Sequence, residues 1–289
     1  MLALQLIVDG ILLGGMYILI AQSLNLVFGV MGVVNLAHGT FITMAGLFTF
    51  WFATHTHLNP LLAIPLVFGG MLVIGAIVER LLLEPLAKTG RRAELLSLIV
   101  TFGLSYVLIQ VTLFVWGSQF VSLPDFQSTW TIGGLTFSEA RIVAGAFAAA
   151  ISGGLYVWLN HTASGKALLA TSQSQIGAAT CGIDVRSMRL IAFAVGSALA
   201  ATAGALLILV LPLAAQSADT LTILAFVIVA VGGLGDYKGA AVAALLLGLI
   251  QSAAGYYLGG DIESIVPYVL LILVMLVRPQ GFGRVIGAR

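Results

Sequence analysis

The feature that decides what this chain can fold into is a succession of apolar runs, each about as long as a bilayer is thick. Residues 4–28, 34–52, 61–78, 95–116, 142–159 and 190–211 form six of them. A helix rising about 1.5 Å per residue needs roughly 20 apolar residues to cross ~30 Å of hydrocarbon. Residues 240–256 and 265–277 are shorter but still apolar, and residues 221–231 stop at a glycine cluster. That last run reads as a half-helix or re-entrant piece, which lipid tolerates only where protein or a water-filled path covers the backbone. The expectation is an all-α polytopic transmembrane bundle of eight or nine segments, one membrane domain over residues 1–289.

Charge supports this reading. Only 8% of the 289 residues are Asp, Glu, Lys or Arg, about a third of the ~25% found in soluble domains. Twelve basic and 11 acidic side chains cannot cover a soluble protein of this size, which excludes soluble enzymes and nucleic-acid binders. The 34 glycines suit membrane helices, where small residues let backbones pack closely. Gly10 and Gly14, spaced as GxxxG, read as such a packing face. No basic residue precedes Arg80, so no cleavable leader is expected and the first run should stay as a span.

The basic residues fall in four places. Arg80, Lys88, Arg91 and Arg92 share one loop, Lys166, Arg186 and Arg189 a second, Lys238 a third, and Arg278, Arg284 and Arg289 the C-terminus. Only Arg141 falls opposite. Because cytoplasmic loops retain Lys and Arg, the expected topology has the N-terminus outside and the C-terminus in the cytoplasm. Cys181 is the single cysteine, so disulfides and thiolate metal sites are excluded. His55, His57 and His161 lack carboxylate or thiol neighbours, and no metal site or catalytic residue is expected.

Three segments carry candidate chemistry. In residues 29–46, GVMGVVNLAHGTFITMAG, Asn35 and His38 sit among small residues at membrane depth, where polar groups face a cavity or another helix. His38 either lines a solute path or bonds a neighbouring helix. Gly29, Gly32 and Gly39 favour a broken start to this span, whose amide donors could meet an anionic group. The glycines of residues 232–239 lack the GxxxxGK[ST] pattern, as does SGKAL around Lys166, so no nucleotide loop is expected. Residues 160–189 form a ~30-residue polar connector, a length that usually means function. Residues 166–181 are expected to form one or two short helices, with Gly182 just past the end.

Five motifs in order resemble the permease subunit of branched-chain amino acid ABC importers, of the LivH type. They are FGVMGVVNLAHG (28–39), ERLLLEPL (79–86), GID (182–184), AFVIVAVGGLGDYKGA (225–240) and RPQGFGR (278–284). The resemblance implies a pore shared with a second related permease of the LivM type and two cytoplasmic ABC ATPases that use ATP and Mg. It also implies a periplasmic solute-binding protein, an inner-membrane location and no cofactor on this chain. The polar groups in an apolar setting and the glycine-broken entry place the translocation path near Asn35, His38 and Gly39. The resemblance makes residues 171–184 an ATPase-coupling helix of about three turns, with Gln173 and Gln175 as hydrogen bonders, Ala178 and Gly182 allowing close approach, and Asp184 at the end. The chain departs from the family where Glu84 and Leu169 stand in place of common arginines, and at residues 44–47. Those departures leave urea, short amides and aromatic acids as alternative solutes. A secondary transporter fits less well, because coupling carboxylates normally sit at mid-membrane and these lie near span ends; the long connector argues against a bare channel.

The orientation is directly testable. In a Cys181→Ser background, Arg92→Cys should react with an impermeant thiol reagent in inverted vesicles and stay unlabelled in intact cells. The opposite pattern would reverse the topology.

Overall fold

The computed structural model describes residues 2–87, 89, 92–123, 128–132, 135–278 and 281. Lys88, Arg91, Asp125, Arg284 and Arg289 of the charge pattern lie outside them. The chain is a helical bundle. Its elements are α1 (Leu2–Met31), α2 (His38–Thr56), α3 (Ala63–Val78), a π-turn (Glu79–Leu83), α4 (Glu84–Ala87), α5 (Ala93–Trp116) and α6 (Glu139–His161). These are followed by α7 (Ala163–Gln173), α8 (Gln175–Thr180), α9 (Val185–Leu207), α10 (Ser217–Gly232), α11 (Tyr237–Leu258), α12 (Gly260–Glu263) and α13 (Val266–Val277). Among the described residues six helical stretches are long and apolar enough to cross a membrane, and α10 and α13 are shorter apolar helices.

Two antiparallel strands, β1 (Thr129–Ile132) and β2 (Leu135–Ser138), qualify the all-α expectation. They sit between α5 and α6 at the end of the bundle away from most basic residues. Arg80, Lys166, Arg186, Arg189 and Lys238 mark the other end, called the basic end below. Arg141 at the far end is neutralised by Asp9 of α1, 3.1 Å away.

Two sets of helices repeat one arrangement upside down. α1 packs on α11 and α3 packs on α9, while α1 crosses α9 and α2 crosses α10. Replacing α1, α2, α3 and α5 by α9, α10, α11 and α13 reproduces these pairings, including α2 with α5 and α10 with α13. α1 runs toward the basic end and α9 away from it, so the sets are inverted, with α6 as the connection between them. In each set a long helix is followed by a non-helical stretch (32–37 or 208–216) and a helix that starts inside the bundle.

α9 lies at the centre, and 83% of its apolar window is buried, against 22% for α5. Its Ala- and Gly-rich sequence lets α1, α2 and α3 approach it at once. A Cβ at Gly196 would lie 3.0 Å from the Ser23 carbonyl, and one at Gly204 would overlap the Ile42 carbonyl. The GxxxG of α1 packs as expected: a Cβ at Gly10 would sit 2.7 Å from the Leu249 backbone, and one at Gly248 would sit 2.5 Å from the Gly10 carbonyl.

Three boundaries differ from the sequence reading, each for a local reason. α2 begins at His38, not residue 34, because α1 ends at Met31, Gly32 follows with φ 65° and the chain stays non-helical through a turn at residues 36–37. α9 ends at Leu207 rather than 211, because Pro212 disfavours helical geometry at the residue before it. The coupling helix is split at Ser174, whose extended backbone and hydroxyl cap α8 through the Gly177 amide at 3.0 Å. Such side-chain to backbone bonding competes with helix continuation.

Gly204→Leu should overpack the centre and cost on the order of 3 kcal/mol, read as a lowered unfolding midpoint in detergent. Gly153→Leu on α6, where nothing lies within 4 Å of the added Cβ, is the control and should leave the midpoint unchanged.

Candidate functional site

After Met31 the chain turns back along α1. His38, the first residue of α2, places Nε2 3.3 Å from the Ile20 carbonyl and 3.2 Å from Ser23 Oγ. Those α1 positions precede Met31 by two to three turns, so the chain after Gly32 climbs back into the bundle, and the His38 ring covers the last part of the way. Residues 36 and 37 form a turn in which the His38 amide donates to the Asn35 carbonyl.

Backbone exposed at this depth must be satisfied by protein, and two hydroxyls contribute to it, with a further hydroxyl pair beside them. The Leu36 amide donates to Thr101 Oγ1 of α5 at 3.3 Å, and that oxygen lies 3.3 Å from the Val34 carbonyl. The Gly39 amide donates to Thr222 Oγ1 of α10 at 2.9 Å. Thr40 and Ser105 share a hydrogen bond of 2.8 Å. Gly39 has to be glycine here, since a Cβ would strike the Ala218 carbonyl and the Thr222 backbone. The first turns of the two half-helices therefore touch, with Asn35, His38, Gly39, Thr40, Thr101, Ser105 and Thr222 forming one buried polar cluster.

Within it the sequence candidates take distinct roles. Asn35 Oδ1 accepts from the Ala37 amide at 3.1 Å, while its Nδ2 has no partner among the described residues although the side chain is 1% exposed. His38 bonds the neighbouring helix α1. The free amide donors expected at the start of α2 are taken up: Ala37 by Asn35 Oδ1, His38 by the Asn35 carbonyl and Gly39 by Thr222. No anion site is open there.

At the basic end the connector is built from caps. Thr162 caps α7 through the Gly165 amide at 3.1 Å. α8 closes in a Schellman turn, with the Ile183 amide on the Ala178 carbonyl and the Gly182 amide on the Ala179 carbonyl, both 3.0 Å. Gly182 has φ 82°, a conformation that suits glycine. Asp184 caps α9, accepting from the Arg186 amide at 3.1 Å and from Ser187 Oγ at 2.5 Å. The Ser187 hydroxyl is the main cause that holds its carboxyl below the usual carboxylate range. Asp184 is thus a structural cap.

Gln175 departs from its expected role as an outward hydrogen bonder. Its Nε2 donates to the Val30 carbonyl at 2.8 Å, so α8 holds the last turn of α1, immediately before the climbing segment. Gln173 is exposed, Ala178 is 4% exposed, and Ile176 between them is 81% exposed. α8 therefore grips the bundle with Gln175 and Ala178 and presents Ile176 outward, beside Gln173 at the end of α7.

The sequence reading missed Thr40, Thr101, Ser105 and Thr222 of the cluster, and it missed Asn25. Asn25 of α1 accepts from the Gly235 amide and donates to the Asp236 carbonyl, both at 2.8 Å. It pins the turn between α10 and α11, which Asp236 closes by capping Lys238 and Gly239. A single Asn inside an apolar run was the signal. The glycine-rich stretch is a tight turn between α10 and α11, and among the described residues no group of three potential ligands forms a metal site.

The two asparagines should separate on mutation. Asn25→Leu strands a backbone donor and acceptor and should lower stability by about 1–2 kcal/mol, with faster amide exchange at Gly235. Asn35→Leu removes a donor that lacks a partner but strands the single Ala37 amide, so the unfolding midpoint should fall by less than for Asn25→Leu and the Gly235 amide should exchange as in the wild type.

The family described as "Branched-chain amino acid transport system / permease component" matches residues 6–275. The high-affinity branched-chain amino acid transport permease LivH of Escherichia coli is 29% identical, covering 96% of this chain and 94% of its own length. BraD of Pseudomonas aeruginosa, a permease of the same description, is 27% identical with the same coverage. A probable LivH of Methanocaldococcus jannaschii is 28% identical over 96% of this chain and 91% of its own length. No solved structure matches. With a match over nearly the whole chain, and with apolar helices arranged as a multi-pass bundle, the protein belongs to the permease components of branched-chain amino acid transport systems and is a membrane transport subunit rather than an enzyme.

Proposed function

We propose that this chain is the membrane-spanning subunit of an ATP-driven importer that carries branched-chain or related small amino acids across the bacterial inner membrane. Its N-terminus faces outward and its C-terminus the cytoplasm, and all eight long or half-length segments described above, together with α2, lie in the membrane. Its partners are a second related permease, two ABC ATPases that bind ATP and Mg, a periplasmic solute-binding protein and surrounding lipid. The chain itself holds no cofactor.

The observation that carries the reading is the link between two sites. A polar cluster sits where α2 and α10 start inside the bundle, and α8 reaches its supporting segment through the Gln175 to Val30 bond. An importer needs such a connection, because energy released in another subunit must reach the solute path by contact. Displacement of α8 pulls on the end of α1, and Gly32, with φ 65°, is the hinge at which residues 33–37 can swing. His38 then leaves Ser23 and Ile20, which opens the segment carrying Asn35, His38 and Gly39 to solute. A path fed by a binding protein should hold its solute weakly, and a few neutral polar groups meet that requirement better than fixed charges.

The test is reconstitution of the four-subunit assembly in proteoliposomes with its binding protein and radiolabelled leucine, urea, a short amide and an aromatic acid. Leucine uptake that requires ATP is expected; uptake of another solute alone would reassign the cargo. Asn35→Leu and His38→Leu should each slow uptake on the order of tenfold, equivalent to ~1.4 kcal/mol in the barrier, with binding-protein affinity unchanged. Gly182→Trp should disrupt the turn after α8 and leave ATP hydrolysis uncoupled from uptake. Wild-type uptake in all three variants would overturn both the path and the coupling element.

A further inference from the structure

Glu79 is the most deeply buried carboxylate among the described residues, 1% exposed, and neither of its oxygens has a hydrogen-bond partner there. A buried carboxylate without hydrogen bonds is costly, so its retention calls for a reason. The backbone supplies one. Residues Glu79–Leu83 form a π-turn in which the Glu84 amide donates to the Glu79 carbonyl five residues back. In an α-helix, at 3.6 residues per turn, positions five apart lie about 140° apart around the axis. The wider turn brings Glu79 and Glu84 round to one face.

That face meets the start of α9. Glu84 pairs with Arg186, and Glu79 lies 3.8 Å from Arg189 Nε. Arg186 and Arg189 are three residues apart, neighbours on one helix face. Since α3 descends to the basic end and α9 ascends from it, the four side chains make a two-rung antiparallel ladder with equal charge on each side. The outer rung is closed. The inner rung is buried and open, at ion-pair range but beyond hydrogen-bonding distance.

The ladder sits at the mechanical root of the connector. Arg186 follows the Asp184 cap by two residues, and that cap follows the Schellman turn of α8 directly. Glu84 stands where the resemblance leads one to expect arginine, and an arginine there would face Arg186 with like charge.

We propose that Glu79 and Glu84 are positioning residues that make α3 follow the first turn of α9, so that displacement of α8 moves both helices. The open rung between Glu79 and Arg189 closes to a hydrogen bond in the alternate conformation. This rests on the importer reading above. α3 packs along α9 and touches α2, so a motion shared by α3 and α9 reaches α2 from two sides. The Gln175 bond to Val30 reaches it from a third.

The experiment measures solute moved per ATP hydrolysed in the reconstituted assembly. Glu84→Gln should lower that ratio by about three- to thirtyfold while expression, assembly and ATPase activity persist. The exchanged pair Glu84→Arg with Arg186→Glu should restore the ratio, which a role confined to folding does not require. Glu79→Gln, which removes one buried charge and leaves Arg189 without its partner, should lower the ratio while the assembly still forms. An unchanged ratio in Glu84→Gln and Glu79→Gln, or a lowered ratio that the exchange fails to restore, overturns the proposal alone. Wild-type uptake that is independent of ATP overturns the importer reading, and the proposal with it.

Discussion

Everything in this fold depends on one constraint: a backbone that leaves helical geometry inside a membrane must find its hydrogen bonds in protein. Water is absent, and each unmet amide or carbonyl costs several kcal/mol. The stretch from Val33 to Ala37 breaks the helix at depth and survives because Thr101, Thr222 and Asn35 supply what the lost helical turns would have supplied. The surrounding architecture keeps those suppliers in reach. α5 brings Thr101 to one side, α10 brings Thr222 to the other, and α9 closes the space behind with residues too small to push either away. Gly39 is the tightest point, because the Thr222 hydroxyl can reach its amide only while nothing projects from the α-carbon.

The inverted arrangement follows from the same economy of contact. A half-helix that begins inside the bundle exposes its first amides, and the start of an oppositely directed half-helix offers a hydroxyl at the matching depth. α2 and α10 meet this way, and each is backed by the long helix of the other set. Such a crossing is stiff along the helices and soft across them, since it is held by a few hydroxyl bonds rather than by interlocked large side chains. Solute paths in bundles require that combination.

Much of this was legible in the residues. Length and apolarity alone marked the long spans, and residues 221–231 were too short to cross, as the 16-residue α10 bears out. Gly182 announced the end of α8, and the glycine-rich turn at 232–239 announced itself as a turn. What could not be read is instructive. His38 carries the same letters whether it faces a path or Ser23, because the choice depends on α1 folding back beside it. Gln175 looks like a surface residue in any one-dimensional reading, and only the proximity of Val30, 145 positions away, turns it inward. Ser174 ends a helix that the pattern would continue, and the Glu79 π-turn leaves no periodic trace, since a single wide turn shifts phase once and then resumes.

The Gln175 bond has a further consequence. The Val30 carbonyl belongs to the last turn of α1, where carbonyls have no helical partner, so the connector serves as a borrowed cap for the longest helix of the molecule. Pulling α8 away bares that carbonyl. At the membrane boundary water would meet it, and the net loss is modest, on the order of 1 kcal/mol. A tie of that strength acts as a return spring: too weak to hold the bundle against a driven stroke, strong enough to draw the two parts together once the drive is released. Under the coupling proposed above, the resting position would be set by the end of a helix, and recovery after each cycle would need no input beyond thermal motion.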